Sequence, residues 1–258
     1  MEVLFWTAHT VAENLALDES MARTAFSTGR RLLRFWWGGP PAVVMGSNER
    51  AERSVNSDAC ARLGVEVLKR CTGGGTVLQT SGVLNYSLVM PAPNHLDLMA
   101  GFRQGTDLVI SLLDAFGVTG DVQGTSDVAV AGRKISGNAQ ARRWRSLLVH
   151  GTLLVDFDFD LAEKVLPHPP REPEYRQARR HRDFLVTLRT LGAKVERKTI
   201  ESVAVRTGLR IFAAVSPVRM AGEASGGVCA QLASQAAYPV SRPSPGSRDE
   251  YGSQVCNV

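Results

Sequence analysis

Three consecutive glycines, Gly73–Gly75, are the feature that most restricts how this chain can fold. They stand in the segment KRCTGGGTVLQ, residues 69–79, between two strand-like stretches. Such a run loses much backbone entropy on folding and weakens an ordinary strand, so the fold needs a reason for it. One reason is that backbone N–H groups without Cβ atoms can line an anion or a flat ring, beside the charges of Lys69 and Arg70. The other is a tight hairpin turn, and the glycines alone do not decide between the two.

The size and charge of the chain limit its class. A length of 258 residues fits one large domain, or one domain with an appendage, and 44% hydrophobic residues are enough for a core. The net charge of +5 fits an anionic ligand or an acidic partner, and we expect no nucleic-acid partner.

Cysteine spacing and hydropathy bear on the compartment. The four cysteines, Cys60, Cys71, Cys229 and Cys256, show no CxxC spacing, so we expect neither a zinc site nor a disulfide framework. We therefore expect a cytoplasmic protein. The N-terminus lacks the features of a signal peptide, and no stretch approaches ~20 apolar residues, so we expect no membrane span.

Helical and strand-like periodicities are mixed along most of the chain. Helices are predicted at residues 11–28, 49–63, 102–116, 161–166 and near 184–185. Strands are predicted at residues 31–37, 42–46, 65–70, 76–78, 85–91 and 147–155, with two short ones within 118–131. This order predicts an α/β (α+β) fold with a mixed, largely antiparallel sheet flanked by helices. From about residue 205, Ala, Ser, Gly and Pro dominate without a lasting period, which predicts a domain over 1–204 and an irregular, disordered tail over 205–258.

A second glycine-punctuated segment, GRKISGNAQ of residues 132–140, surrounds Lys134. A lone lysine is usually a solvated surface charge. Here it follows a strand with an acidic residue, Asp127, and precedes small residues, so its ammonium could stabilise a phosphate or a developing anhydride. Neither glycine segment is a Walker A loop or a GxGxxG turn.

Together these segments resemble the lipoate–protein ligase family, within the biotin/lipoate A/B protein ligase superfamily. The resemblance rests on RCTGGGTV (70–77) with GVLNYS (82–87), on GRKISGNAQ (132–140) and on HGTLL (150–154), in the order and spacing of the family. NLALDE (14–19) and VVMG (43–46) agree with it, and the match covers roughly residues 1–190. It implies a fold of the class II aminoacyl-tRNA synthetase and biotin ligase type.

The resemblance implies a two-step reaction. The carboxylate of lipoate, or of octanoate, attacks ATP to give an acyl-adenylate and pyrophosphate, and a lysine of a carrier domain then takes the acyl group. The implied catalytic residue is Lys134, placed at the carbonyl and α-phosphate where charge develops. Substrate or nucleotide contacts are implied at Arg70, Gly73, Gly74, Gly75, Thr76, Val77, Asn85, Asp127, Lys134, Gly137 and Ala139.

Individual roles also follow from the resemblance. Arg70 would bind phosphate or carboxylate oxygens with its planar fork. Asn85 would anchor the loop or a phosphate, and Asp127 would contact magnesium or ribose. Trp36, Val44 and Val77 could line an apolar acyl tunnel, although ordinary core packing explains them equally well.

The implied substrates and partners complete this set of expectations. ATP with Mg²⁺ and lipoate would be bound, and the acceptor would be a lipoyl carrier domain, as in 2-oxoacid dehydrogenase E2 or the glycine-cleavage H protein. The basic segment 171–182 could steer an acidic acceptor or be a merely solvated face. No accessory domain of the longer ligases is recognisable in residues 205–258, so a separate accessory subunit could be needed.

Departures from the family pattern leave alternatives. Gln79-Thr80 stands where many members have His-Asp, and Gln79 can form hydrogen bonds but cannot titrate. An octanoyltransferase would use a cysteine thiol and acyl carrier protein without ATP, but no cysteine lies between residues 72 and 228, and Cys71 reads as a buried thiol. A binding protein that has lost the chemistry is the third reading. The GRGRxG signature of biotin ligases is absent.

Overall fold

The computed structural model describes residues 1–92, 97–193 and 196–212. The strands are, in chain order, β1 (Glu2–Phe5), β2 (Leu32–Trp37), β3 (Ala42–Met45), β4 (Glu66–Lys69), β5 (Val77–Gln79), β6 (Val83–Pro91), β7 (Asp121–Gln123), β8 (Asp127–Val130), β9 (Arg133–Ser136), β10 (Asn138–Arg143) and β11 (Ser146–Leu154). The helices are α1 (Val11–Thr28), α2 (Ala51–Ser54), α3 (Ser57–Leu63), α4 (Leu98–Ala115), α5 (Phe159–Val165), α6 (His181–Phe184) and α7 (Arg197–Phe212).

The strands form one large sheet and two small ones. The large sheet has the order β1-β2-β6-β11-β10, in which only the β1–β2 pairing is parallel. The second has the order β4-β3-β5, with β3 parallel to β4 and antiparallel to β5. The third is the antiparallel meander β7-β8-β9. The predicted mixed, largely antiparallel sheet is therefore confirmed.

Helices cover both faces of the large sheet because its central strands carry apolar residues on both sides. Leu88 of β6 belongs to the core beneath α4 and α7, whereas its neighbour Val89 packs with Leu17 and Met21 of α1. Successive strand residues point to opposite faces, so an uninterrupted apolar run demands cover on each side. All but the last of the nine residues of β6 are buried, as expected for a central strand.

The first helix agrees closely with its predicted bounds because its ends are marked in the sequence. The Thr10 hydroxyl accepts from the Glu13 N–H, and the Glu13 carboxylate accepts from the Thr10 N–H, which completes a capping box. Gly29 ends the helix in the left-handed region, with φ +66°.

Three predictions need correction. The helix predicted at 49–63 is two helices, α2 and α3, because Val55 and Asn56 leave helical geometry and Asn56 caps α3. Residues 133–143, to which no element was assigned, form β9 and β10. The domain boundary predicted after residue 204 falls inside α7, and residues 205–212 belong to the domain because Phe212 and Ile200 pack into the main core. The rest of the predicted tail lies outside the described residues.

None of the helices in the described part of the chain is long and apolar enough to cross a membrane.

The contact between α7 and the sheet predicts the effect of one substitution. A Cβ atom on Gly208 would lie 2.6 Å from Leu33 Cδ2 and 3.3 Å from Phe35 Cε2. Gly208→Val should therefore lower the free energy of unfolding by about 1–3 kcal/mol through overpacking. Urea denaturation provides the measurement, and Arg206→Ala, an exposed change on the same helix, should stay within about 0.5 kcal/mol of wild type.

Candidate active site

A cleft of about 400 Å³ lies where the large sheet meets the two smaller sheets, a volume in the range of small-molecule sites. The predicted site residues that line it are Arg70, Gly74, Gly75, Thr76, Val77, Asn85, Asp127, Lys134, Gly137 and Ala139. Gly73 does not line it. Two segments that are far apart in the sequence thus meet in one cleft. That these residues bind substrate stays a prediction.

Arg70 holds the glycine loop from inside. Its guanidinium donates to the carbonyls of Val44, Gly73 and Gly75 at 3.2, 2.6 and 2.9 Å, and its Nε donates to Thr72 Oγ1 at 3.0 Å. Burial lowers the pKa of Arg70 to about 10, so the group stays charged at neutral pH. The guanidinium already makes four hydrogen bonds within the protein, three to carbonyls and one to Thr72, so its expected role as a phosphate or carboxylate fork stays a prediction.

The three glycines of the loop differ in why the structure has glycine at each position. Gly74 has φ +86°, and its carbonyl oxygen lies only 1.9 Å from where a Cβ atom on Gly46 would stand, so the loop and the end of β3 approach without side chains. A Cβ atom on Gly73 or Gly75 would meet nothing within 4 Å. Gly75 lines the cleft, so the space beside it is open to a ligand.

A buried polar network connects the glycine loop to α1. Thr72 Oγ1 and His150 Nε2 are 2.6 Å apart, and His150 Nδ1 lies 3.8 Å from Asp18 Oδ2. Asp18 forms an ion pair of 2.9 Å with Arg34, and both side chains are 1% exposed. Arg34 also donates to Asn14 Oδ1 and to the Asn14 carbonyl. The spacing of Asn14 and Asp18, four residues apart on one helical face, therefore serves to bind a buried guanidinium.

Lys134 is held at the cleft by an acidic partner. Its Nζ lies 2.7 Å from Asp127 Oδ1, and Asp127 Oδ2 accepts a hydrogen bond of 2.9 Å from the Tyr175 hydroxyl. Burial and the charge of Asp127 raise the pKa of Tyr175, so this phenol stays protonated and donates. A Cβ atom on Gly137 would stand 2.8 Å from Lys134 Cε and Nζ, so the glycine leaves room for the lysine.

The predicted magnesium contact at Asp127 does not fit this arrangement. Both carboxylate oxygens are already bonded, and the ammonium of Lys134 2.7 Å away would repel a cation. Among the described residues, no three His, Cys, Asp or Glu side chains converge in a way that could hold a metal ion.

The floor of the cleft contains an amide pair. Gln79 Nε2 donates to Asn85 Oδ1 at 2.7 Å, and Asn85 Nδ2 donates back to Gln79 Oε1 at 3.1 Å, with both residues 4% exposed. Asn85 thus anchors the strand that follows the glycine loop and has few donors left for a phosphate. Gln79 is a structural partner of Asn85, which explains how an amide is accommodated at the position of the family's histidine.

Part of the cleft wall is apolar. Trp36 and Val44, with Val77 and Leu15 beside them, line the cleft and form one hydrophobic cluster.

Three polar atoms of cleft-lining residues are buried without a protein partner in the structure, namely Trp36 Nε1, Thr76 Oγ1 and Ser136 Oγ. Buried polar groups are normally hydrogen-bonded, so these are the atoms a bound ligand could satisfy.

A further set of hydrogen bonds joins β6 to the Lys134 segment. The Tyr86 hydroxyl donates to Asn138 Oδ1 at 2.5 Å, and Asn138 Nδ2 donates to the Ser126 carbonyl at 2.6 Å. A Cβ atom on Gly151 would stand 2.0 Å from Asn138 Oδ1, so β11 requires glycine at this position. These bonds fix the loop before Asp127 relative to the large sheet.

The basic segment 171–182 is mostly neutralised within the fold. Arg176 is buried and pairs with Glu172, Arg179 donates to backbone carbonyls, and the last two arginines, Arg180 and Arg182, pair with acidic residues of α5. Arg171 is exposed at the cleft and makes no ion pair within the described residues. Of the two readings left open by the sequence, this pairing gives less support to a free positive face that steers an acidic acceptor.

Several residues of the site were not predicted. Five of them lie inside the sequence motifs that carry the family resemblance, so the motifs could have pointed to them: Thr72, Tyr86, Ser136, Asn138 and His150. Tyr175 had no such signal, because its approach to Asp127 depends on how residues 167–180 fold back over the cleft.

Comparisons with known proteins agree with this geometry. The model of the family described as lipoyl protein ligase A/B catalytic domain matches residues 10–207. The chain is 32% identical over 147 residues to the lipoate–protein ligase LplJ of Bacillus subtilis, covering 57% of this chain and 43% of that protein. It is also 32% identical over 186 residues to the octanoyltransferase LipM of Carboxydothermus hydrogenoformans, covering 64% of this chain and 68% of that protein.

A solved structure gives the same result for the fold. It is described as a bi-partite lipoate protein ligase and its E2 lipoyl domain from Thermoplasma acidophilum, and it superposes with a TM-score of 0.75 at 25% identity. The match covers 91% of this chain and 90% of that one. The chain spans about half the length of the first curated ligases that it matches.

The buried ion pair predicts a large stability difference between adjacent residues. Asp18→Asn should lower the free energy of unfolding by about 3–5 kcal/mol, because it leaves the Arg34 charge buried without its carboxylate. Glu19→Gln, at the next position, breaks only an exposed pair with Arg23 and should cost less than about 1 kcal/mol. Equal urea midpoints for the two variants would contradict the role given to Asp18.

Proposed function

This chain belongs to the lipoyl protein ligase A/B catalytic domain family, and on that basis we propose that it is a lipoate–protein ligase that works through an acyl-adenylate. The observation that carries the proposal is a cleft that combines a held ammonium, an open glycine loop and an apolar wall, with no thiol among its described lining residues.

In the first step a carboxylate oxygen of lipoate or octanoate attacks the α-phosphorus of ATP, and pyrophosphate leaves. The Lys134 ammonium is suited to stabilise the negative charge that develops there, because it is fixed by Asp127 before the substrates arrive. The open side of Gly75 lets the adenylate approach the backbone. Arg171, exposed at the cleft, is a second cation near the phosphates in this proposal. No step is assigned to a metal ion, because Asp127 does not fit one.

In the second step the neutral ε-amine of an acceptor lysine attacks the acyl carbonyl. An amide bond forms, AMP leaves with the electrons of the broken bond, and the amine loses a proton. Trp36, Val44 and Val77 would hold the acyl chain, so that the carbonyl lies near Lys134. We propose a lipoyl carrier domain as acceptor. We also propose that a further domain or subunit assists, since the chain spans about half the length of the ligases it matches.

The transferase alternative has support from the similarity to LipM but not from the cysteines. Cys71 packs against the core beneath α1, and burial together with the charges of Glu19 and Asp18 raises the pKa of its thiol to about 12. Cys60 is buried, and burial raises the pKa of its thiol as well. Acyl transfer through sulfur needs the thiolate. Cys229 and Cys256 lie outside the described residues.

The open glycine predicts a binding defect without a folding defect. Gly75→Ala should weaken a non-hydrolysable lipoyl-adenylate analogue by about tenfold or more, ~1.4 kcal/mol, because its methyl group enters the cleft. Gly73→Ala is the matched control, since its methyl group also meets open space but away from the cleft. Calorimetric titration measures both. Equal affinities would show that the ligand does not approach Gly75.

The chemistry itself is tested by pyrophosphate release. Lys134→Ala should reduce release from lipoate and ATP by about 10²–10³-fold, because it removes a charge that acts in the transition state. Lys134→Arg should restore only part of it, since a forked guanidinium differs in shape from an ammonium. Near-ultraviolet circular dichroism checks that both variants keep their packing.

Cys71→Ser separates ligase from transferase in the same assay. We expect it to leave pyrophosphate release within about twofold of wild type. Transfer of an octanoyl group from acyl carrier protein without ATP, lost in Cys71→Ser, would refute the ligase proposal. Acyl binding without either reaction, with and without a candidate accessory subunit, would favour a non-catalytic protein.

A further inference from the structure

The turn of the hairpin between β10 and β11 has an unfavourable backbone conformation. Trp144 and Arg145 form its two-residue turn and have φ of +55° and +56°. Such turns favour Asn-Gly, because residues with bulky side chains rarely adopt positive φ. Strained backbone of this kind concentrates at functional positions, which directs attention to what the tip presents.

The tip carries an organised group of arginines and aromatic rings. Arg23 lies over the Trp144 ring at 4.3 Å and Arg143 over the same ring at 5.1 Å. Arg145 lies over the Phe26 ring at 3.7 Å. We call these five residues the hairpin patch. Stacking orders the long arginine side chains, so these side chains lose less conformational freedom when a partner binds them.

The charge of the hairpin patch is largely uncompensated. Arg23 pairs with Glu19, whereas Arg143 and Arg145 are exposed and make no ion pair within the described part of the chain. This differs from residues 171–182, where most arginines pair with acidic groups of the same fold. The hairpin patch is therefore a surface whose positive charge is available to a partner.

The hairpin patch also lies within reach of the reaction. Ala139 of β10 lines the cleft, and the five residues from there to Trp144 extend roughly 17 Å. Trp144 and Cys71, which directly precedes Thr72 of the glycine loop, pack against the same hydrophobic cluster. A carrier domain of about 100 residues has a radius of gyration of about 13 Å, enough to touch the tip while one lysine enters the cleft.

We propose that the hairpin patch is the docking surface for an acidic face of the acceptor domain, an inference that rests on the proposed function. Arginine and tryptophan are the residues enriched in the energetic centres of protein–protein interfaces. Nucleic acid is the less suitable occupant, because such binding draws its affinity from many phosphate contacts and the patch offers two unpaired arginines.

The test compares two double charge reversals that change the net charge equally. Arg143→Glu with Arg145→Glu removes the positive surface. Arg206→Glu with Arg210→Glu is the control on α7, which packs on the other face of the large sheet. The probe is a purified recombinant lipoyl domain of a 2-oxoacid dehydrogenase E2 with net negative charge. Its binding is measured by fluorescence anisotropy at 50 and 500 mM salt, and pyrophosphate release is measured without acceptor.

We expect the patch variant to bind the lipoyl domain about tenfold more weakly at low salt, with a smaller difference at high salt. The control variant should bind like wild type, and pyrophosphate release should be unchanged in both. Binding by the patch variant that equals wild type would overturn the inference. A loss of pyrophosphate release by the patch variant, in parallel with its loss of binding, would also overturn the inference. The same holds if the patch variant no longer binds a random single-stranded RNA but binds the lipoyl domain as wild type does.

Arg145→Gly provides a second variant that should fold at least as well as wild type. Glycine accepts the positive φ of the turn, so the thermal midpoint should stay equal or rise, while lipoyl-domain affinity falls about threefold. Undiminished affinity would contradict the inference. Salt-sensitive docking by a wild-type protein that releases no pyrophosphate would support the surface and refute the ligase proposal, so the two failures are distinguishable.

Discussion

Two guanidinium groups bonded within the fold, those of the buried Arg34 and the partly buried Arg70, set the constraint that the rest of the site depends on. A buried cation is costly unless the fold supplies acceptors, and here those acceptors are Asp18 and Asn14 of α1 for one group and loop carbonyls for the other. Binding Arg34 fixes α1 against β2, and binding Arg70 fixes the glycine loop against β3. The loop is thus shaped by charge compensation from within, and its outer side, at Gly75, stays open.

The same principle separates a structural cation, Arg70, from a cation that the proposed chemistry could use, Lys134. Arg70 is partly buried and bonds to three backbone carbonyls and to Thr72, which a substrate cannot displace without disrupting the loop. Lys134 is a quarter exposed, and its partner Asp127 is held from the other side by Tyr175. An anionic substrate can therefore approach the ammonium without leaving Asp127 unpaired. This difference in bonding is the reason that the proposed function assigns the developing charge to Lys134 rather than to Arg70.

The sequence predicted what local patterns determine. The capped helix α1, the apolar strands and the cleft formed by two glycine segments follow from periodicity, end signals and ordered signatures. It could not predict that Arg70 would turn inward, because carbonyl acceptors on an irregular loop leave no trace in side-chain identity. The same holds for residues 171–182, whose acidic partners Asp160 and Glu163 lie in the preceding helix α5. Helix α7 as a whole was missed because its alternating polar and small residues conceal a face that packs closely on β2.

The ion pair that holds the fold also bears on which chemistry the site can perform. The pKa of the Cys71 thiol is raised to about 12, so this thiol is protonated at neutral pH. Burial is the largest cause of the raised pKa, the charges of Glu19 and Asp18 raise it further, and the opposing charge of Arg143 does not cancel their effect. Asp18 cannot be given up, because Arg34 would then be buried without a carboxylate. The fold around Asp18 therefore disfavours a thiolate at Cys71, which agrees with the proposed use of Lys134 rather than of a thiol.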